Sequence, residues 1–270
     1  MSTDISAIDD LKQLLKVLRL NICLEQFLSI AEQCEKEKKS YVEYLHELML
    51  RENEHKHQKR IATLIKTAKL PRNKLLSDFD MARVPGLAPS QVLSLATGDF
   101  IDRYGNVLIF GNPGSGKSHL AIALAREWCQ LRRRIRFFTA ANLVQQLLQA
   151  KDDRRLAQYI KQLDRFEVLV IDDISYVPFD KSETDVLFTL LSERYEMRSL
   201  LITSNLQFSH WDKIFKDQMT TNAAIDRLVH HASILELNVH SYRVECAKIR
   251  QQKSTKLSAK NSDNEEVSMT

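Results

Sequence analysis

Only four cysteines occur in 270 residues, Cys23, Cys34, Cys129 and Cys246, and no two form a C-x-x-C pair. That scarcity excludes a disulfide framework and a cysteine-built zinc site, and the four read as buried or inert thiols. No stretch approaches the roughly 18 consecutive apolar residues of a membrane-spanning helix, so no membrane partner is expected. The first residues, MSTDISAIDD, lack the basic-then-apolar order of a secretory signal, and a cytoplasmic location is the expectation. Neither sign of charge dominates. A net charge of +4 and a pI near 8.8 permit a nucleic-acid partner without requiring one.

Glycine and proline are also rare, six and five, and their placement divides the chain. None precedes Pro71, and LKQLLKVLRL, CLEQFLSIAEQ and YVEYLHELMLRENE repeat apolar residues at three- and four-residue spacing, which predicts amphipathic helices. PRNKLLSDFDMARVPGLAPS holds three prolines and a glycine and reads as a linker. Beyond it, short apolar runs alternate with helical segments, the pattern of a parallel α/β sheet covered by helices. Strands are expected at NVLIF, RIRFFTA, EVLVIDD, SLLITSN and ILELN, and helices at Ser118–Leu131, Leu143–Leu163, Glu183–Tyr195 and Asn222–His230. The expected organisation is a helical N-terminal domain over 1–75, an α/β core over 76–250 and a polar, disordered tail over 251–270.

The sharpest signal is GNPGSGKS, which satisfies G-x-x-x-x-G-K-[ST] after a strand and at the opening of a helix. Gly111, Gly114 and Gly116 let the backbone turn its N–H groups toward phosphate oxygens. The helix N-terminus adds positive potential, Lys117 reaches the terminal phosphates, and the Ser118 hydroxyl ligates magnesium. VLVIDD then places Asp172 to hold hydrated Mg²⁺, directly or through water, with Asp173 beside it to polarise an attacking water. RIRFFTA, between the lysine and these carboxylates, suggests an extra strand and hence an additional-strand ATPase rather than a nucleotide kinase. SLLITSN would bring Asn205 beside the γ-phosphate. Arg227 precedes the last strand, where a guanidinium suits the phosphates of a neighbouring subunit's nucleotide; a surface salt bridge is the alternative. His119, His230 and His231 have no ligand partner at sequence spacing and read as packing or surface residues.

The ordered set GNPGSGKSHLA, VLVIDDISY, LITSNLQFSHW, DRLVHHA and SYR resembles the IstB-like family, the ATP-binding transposition helpers of bacterial insertion sequences, itself similar to the helicase loader DnaC and the initiator DnaA. The likeness runs over nearly the whole chain, including LLKVLRLNICLEQFL and LSDFDM. The phosphate loop is shared by many unrelated proteins, whereas TSNLQFSHW and DRLVHHA are narrower. The resemblance implies an AAA+ P-loop core behind a small all-helical domain, ATP and Mg²⁺ as cofactors, and ATP-dependent homo-oligomerisation on double-stranded DNA. It also implies delivery of target DNA to a partner transposase in a bacterial cytoplasm. Carried over by position, Gly111, Asn112, Pro113, Gly114, Ser115, Gly116, Lys117 and Ser118 form the phosphate loop and Asp172 joins Ser118 at the metal. Asp173 activates water, Asn205 is the sensor, Arg227 is the finger and Arg243 contacts the nucleotide of its own subunit. Asp173 stands where glutamate is commoner, one methylene short, which implies slow hydrolysis. Little chain follows SYR, so no helical lid is expected to assist Arg243.

For DNA, Lys56, Lys59, Arg60, Lys66 and Lys69 fall on one side of a helical wheel and Ile61, Leu64, Ile65 and Ala68 on the other. The cationic side would neutralise phosphates without reading sequence; a solvated helix face has the same pattern. Arg132, Arg133, Arg134 and Arg136 form a second basic cluster, which also suits the dipole of a helix end. A DnaC-like helicase loader would use the same core, and a small-molecule kinase would leave Arg227 and the basic helix unexplained.

Overall fold

A computed structural model describes residues 2–71, 74–175, 180–215 and 217–239; Arg243, Cys246 and the 251–270 tail lie outside them. The chain divides into two compact units after Thr63. In the first, α1 (Ser2–Val17), α2 (Asn21–Lys36) and α3 (Tyr41–Ala68, whose end belongs to the second unit) enclose a core of Leu15, Cys23, Phe27, Ile30, Cys34 and Leu48. No side chain at Leu20 caps α2. Glu52, almost fully buried, reaches across from α3 instead. Its Oε2 accepts from the amides of Ile22 at 2.8 Å and Cys23 at 3.1 Å, which satisfies orphan donors and meets the positive end of the helix dipole.

The second unit holds α4 (Pro89–Ala96), β1 (Asn106–Gly111), α5 (Lys117–Gln130), β2 (Ile135–Thr139), α6 (Ala140–Asp152), α7 (Leu156–Leu163), β3 (Val168–Asp172), α8 (Lys181–Arg194), β4 (Ser199–Ser204), α9 (Asp212–Phe215), α10 (Gln218–Val229) and β5 (Ala232–Leu237). The strands pair in parallel in the order β2-β3-β4-β1-β5. Alternation along the strands divides the core in two. Leu108, Phe110, Leu169, Ile171, Leu200 and Ile202 face the layer of α6 to α10, while Val107, Ile109, Val168, Val170 and Leu201 face α4 and α5. All five expected strands form.

The expected helix over Leu143–Leu163 is two helices, broken where Arg154 takes a left-handed conformation (φ 56°). The segment read as a linker is core material: Phe79, Val84 and Leu87 are buried with α4 against the sheet. Cys23, Cys34 and Cys129 are buried free thiols, as the sequence suggests. No described helix is long and apolar enough to cross a membrane.

Two buried polar side chains fix the N-terminal edge of the sheet. The Arg194 guanidinium donates to the carbonyls of Leu163, Phe166, Glu167 and Ser199, joining the end of α7 to the starts of β3 and β4. Asn106 donates to Leu228 O at 3.1 Å and accepts from Leu200 N at 3.0 Å, so the end of α10 is held at the start of β1.

Burial raises the Glu52 pKa, but the amides of Cys23 and Ile22 together with Lys56 outweigh it and hold the carboxyl below its usual range. A depressed folded pKa means that the stabilisation is complete above the unfolded value of about 4.3 and is lost as pH falls through the folded value. Glu52→Ala is therefore expected to reduce amide hydrogen-exchange protection across α2 by about fivefold to thirtyfold at neutral pH, the equivalent of ~1–2 kcal/mol. The difference from wild type should vanish in acid.

Candidate functional site

The phosphate-loop sequence closes the C-terminal end of β1, and its glycines answer to close neighbours or to backbone angles that side chains rarely adopt. Gly111 has φ +154°, and a Cβ on it would lie 2.4 Å from Leu237 O on the neighbouring β5. Gly114 and Gly116 take φ +83° and +101°, a region that other residues rarely adopt. A Cβ on Gly116 would also meet the Phe79 ring at 3.1 Å. Ser115 N donates to Asn112 O at 3.1 Å, and Leu120 N to Gly116 O at 2.9 Å starts α5. The Lys117 ammonium donates to Gly111 O at 2.7 Å and Asn112 O at 2.9 Å, so a buried cation holds the loop curled. The buried Ser115 hydroxyl has no hydrogen-bond partner among the described residues. A curled backbone, a cation at its centre, an unsatisfied hydroxyl and a helix N-terminus fit a polyphosphate. Ser118 and Asp172 offer the oxygen donors that suit a magnesium ion.

The segment before α4 supports this loop from outside. His119 shares a hydrogen bond with Leu75 O at 3.2 Å and meets the Phe79 ring edge-on at 5.5 Å. Burial pushes the His119 pKa below its ordinary value, in keeping with the structural reading of this residue.

The two carboxylates stand at the end of β3, and β4 separates β3 from β1. The expected extra strand RIRFFTA is instead the edge strand β2; the inserted strand is SLLITSN. Register pairs Ile171 with Ile202, which brings Asp172 alongside Thr203. The Thr203 hydroxyl donates to Asp172 Oδ1 at 2.6 Å and accepts from Asp173 N at 2.8 Å. Asp173 is left-handed, φ +63°, a conformation that aspartate tolerates better than most residues. Ser175 Oγ donates to Asn205 Oδ1 and accepts from Asn205 N at 2.9 Å. Thr203 and Ser175 are site residues that sequence reasoning does not single out. Thr203 is visible there only as part of a polar strand end, and nothing in the local pattern marks Ser175.

The core that carries these groups has the IstB-like ATP-binding profile over residues 13–251, most of the chain. The chain belongs to the IstB-like ATP-binding protein family. Among its IstB-like relatives, a protein of Sinorhizobium fredii named for ATP binding in an insertion sequence is 40% identical over 85% of this chain and 78% of its own. The corresponding protein named for insertion sequence IS21 of Pseudomonas aeruginosa is 35% identical over 87% and 89%. The fold is that of AAA+ P-loop proteins. The DnaC helicase loader superposes with a TM-score of 0.51 at 17% identity, over 63% of this chain and 99% of its own. The initiator DnaA bound to AMPPCP and single-stranded DNA gives 0.54 at 16%, over 68% and 56%.

Gly111–Ser118, Asp172, Asp173 and Asn205 therefore gather at the C-terminal ends of β1, β3 and β4. Arg227 does not join them. It lies in the last turn of α10, next to Leu228, whose carbonyl is bound at the start of β1; Gly111 lies five residue steps, about 17 Å, farther along that strand. Its guanidinium covers the Phe188 ring at 5.0 Å and donates to Ala223 O at 3.3 Å. Lys56, Lys59, Arg60, Lys66 and Lys69 are all exposed, with Lys56 3.5 Å from Glu52. The second basic cluster is partly engaged in the fold. Arg133 pairs with Asp102 at 2.6 Å and Glu167 at 3.1 Å, and Arg136 donates to Thr67 O at 2.8 Å.

Replacing Gly111 by alanine drives a methyl into a backbone carbonyl that a rotamer change cannot move. Gly111→Ala is expected to lower stability by ~2 kcal/mol or more, read as a reduced urea midpoint with Trp128 and Trp211 fluorescence as the probe.

Proposed function

We propose that the protein is an ATP-hydrolysing transposition helper that assembles on double-stranded DNA and presents it to a partner transposase. The observation that carries the nucleotide part is the adjacent Asp172 and Asp173, tied through their carboxylate and backbone amide respectively to Thr203, on the same sheet as a glycine loop with a buried lysine at its centre. Gly111–Ser118 would enclose the triphosphate, with backbone N–H groups and Lys117 as donors. Ser118 and Asp172 would hold Mg²⁺. When bound, ATP and Mg²⁺ supply a reactive phosphoanhydride and a cation that offsets charge on its oxygens. Asp173 would accept hydrogen bonding from the attacking water and Asn205 would orient it.

Arg227 lies at the opposite end of β1 from its own phosphate loop, so its proposed target is the nucleotide of a neighbouring subunit. The site would then be complete only between two copies. The 76–250 region would be the motor, and the 1–75 region the partner- and DNA-binding part. Two features of that region support this division: the exposed cations Lys56, Lys59, Arg60, Lys66 and Lys69, and exposed apolar side chains at Leu14, Val17, Tyr41, Val42 and Leu45. The insertion-sequence names of the relatives favour transposition over helicase loading.

Lys117→Ala is expected to abolish ATP binding. Arg227→Ala is expected to retain ATP binding but lose hydrolysis by about a thousandfold or more. Mixing the two variants pairs an intact loop with an intact arginine, so hydrolysis should partly return. Wild-type turnover by Arg227→Ala alone would refute the shared site. Replacing Lys56, Lys59, Lys66 and Lys69 by glutamine should weaken DNA binding and flatten its salt dependence by about 0.9 in slope for each phosphate that is no longer neutralised. An unchanged slope would remove this face from the DNA interface.

A further inference from the structure

Next to His230 and His231 the sequence offers no metal ligand, but the fold supplies one. Glu196, in the turn after α8, brings its carboxylate to the junction of α10 and β5, and one donor atom from each of the three residues lies within 4.8 Å of the other two. Glu196 Oε1 stands 3.5 Å from His230 Nδ1 and 3.7 Å from His231 Nε2. Both separations exceed the 2.7–3.2 Å usual for a nitrogen–oxygen hydrogen bond. They are close to the edge of a tetrahedron whose centre makes bonds of about 2.0–2.1 Å, an edge of roughly 3.3 Å. We propose that Glu196, His230 and His231 form a binding site for a divalent transition metal of the zinc class, with the remaining coordination position open to water or a partner.

The donors come from backbone that is already fixed. Glu196 follows α8 in a left-handed turn, φ +55°. His230 ends α10, its amide bound to Asp226 O at 3.1 Å. His231 enters β5, its carbonyl accepting from Asn106 N at 2.9 Å. The imidazole rings are 4.1 Å apart between centroids, so neither has to travel far to share an ion. The Tyr195 hydroxyl lies 2.8 Å from His230 Nδ1. A metal taking Nδ1 would displace that contact and leave the hydroxyl beside the ligands, where hydrogen-bond donors behind the ligands act at zinc sites. Two imidazoles and one carboxylate with an open position suit Zn²⁺, Co²⁺ or Ni²⁺ and do not suit Mg²⁺, which prefers oxygen donors. This site stands apart from the nucleotide loop and does not rest on the ATP reading. Its ligands link the end of α10, three residues past Arg227, to the end of α8.

The test uses untagged, full-length protein stripped with a chelator and titrated with Zn²⁺ or Co²⁺ without nucleotide. The expected result is one saturable equivalent per chain, a visible Co²⁺ spectrum of low coordination number and a rise in Tm with added Zn²⁺. His230→Gln with His231→Gln should lose all three, and Glu196→Gln should weaken affinity by about tenfold or more. All three side chains are exposed, and circular dichroism verifies that the variants fold. No saturable binding by wild type would overturn the proposal. So would undiminished binding by the double variant, which would assign the metal to other residues such as His55 and His57.

Discussion

The Thr203 hydroxyl donates to the Asp172 carboxylate and accepts from the backbone amide of Asp173, so it holds one acidic side chain on which the proposed ATP chemistry depends and the backbone that carries the other. It does so from a fully buried position on β4, where an unmatched polar group is costly and a matched pair is correspondingly stiff. Backbone pairing continues the link, since Ile174 N donates to Thr203 O at 3.0 Å. Ser175 then reaches Asn205, one turn of the loop farther on. The segment after β3 is thus fastened to β4 at three successive residues, and the left-handed Asp173 is held in place by neighbours on either side.

That fastening requires β4 between β1 and β3. The same insertion sets the phosphate loop one strand away from the carboxylates, with the strand that carries Asn205 in the gap. On the other side of β1, β5 contributes the Leu237 carbonyl that only a glycine at position 111 can approach. At the far end of the sheet, Asn106 joins β1, β4 and α10. The distance between its two ends puts Arg227 beyond reach of its own loop. Loop and arginine stand at opposite ends of β1, which is why the proposed target of Arg227 is the nucleotide of a second copy.

Much of this is legible in the sequence because local pattern and final structure agree. Short apolar runs become strands, those of β1 and β4 buried on both faces, and three of the six glycines mark a loop whose backbone angles demand them. The failures have physical causes. Arg154 breaks a helix from a left-handed position with neither glycine nor proline to announce it. The capping box of Asp180 and Glu183 starts α8 two residues before its expected onset at Glu183. Proline and glycine give the 71–90 stretch the look of a linker, yet Phe79, Val84 and Leu87 are buried by tertiary contacts that no local pattern encodes. Strand order escapes local pattern for the same reason. Proximity in sequence points to RIRFFTA between the motifs, whereas parallel crossovers carry SLLITSN there. The meeting of Glu196 with two histidines more than thirty residues away is likewise a product of topology.

The most direct test of the central claim is Thr203→Val, which keeps the shape of the side chain and removes the hydroxyl. With Mg²⁺ and DNA present, the account predicts ATP affinity within about threefold of wild type and a kcat at least tenfold lower, a loss of ~1.4 kcal/mol in transition-state stabilisation. Thr203→Ser, which restores the hydroxyl, should recover most of that turnover. Wild-type kcat in a folded Thr203→Val protein would contradict the claim that this one hydroxyl orders the Asp172 carboxylate and the Asp173 backbone for hydrolysis.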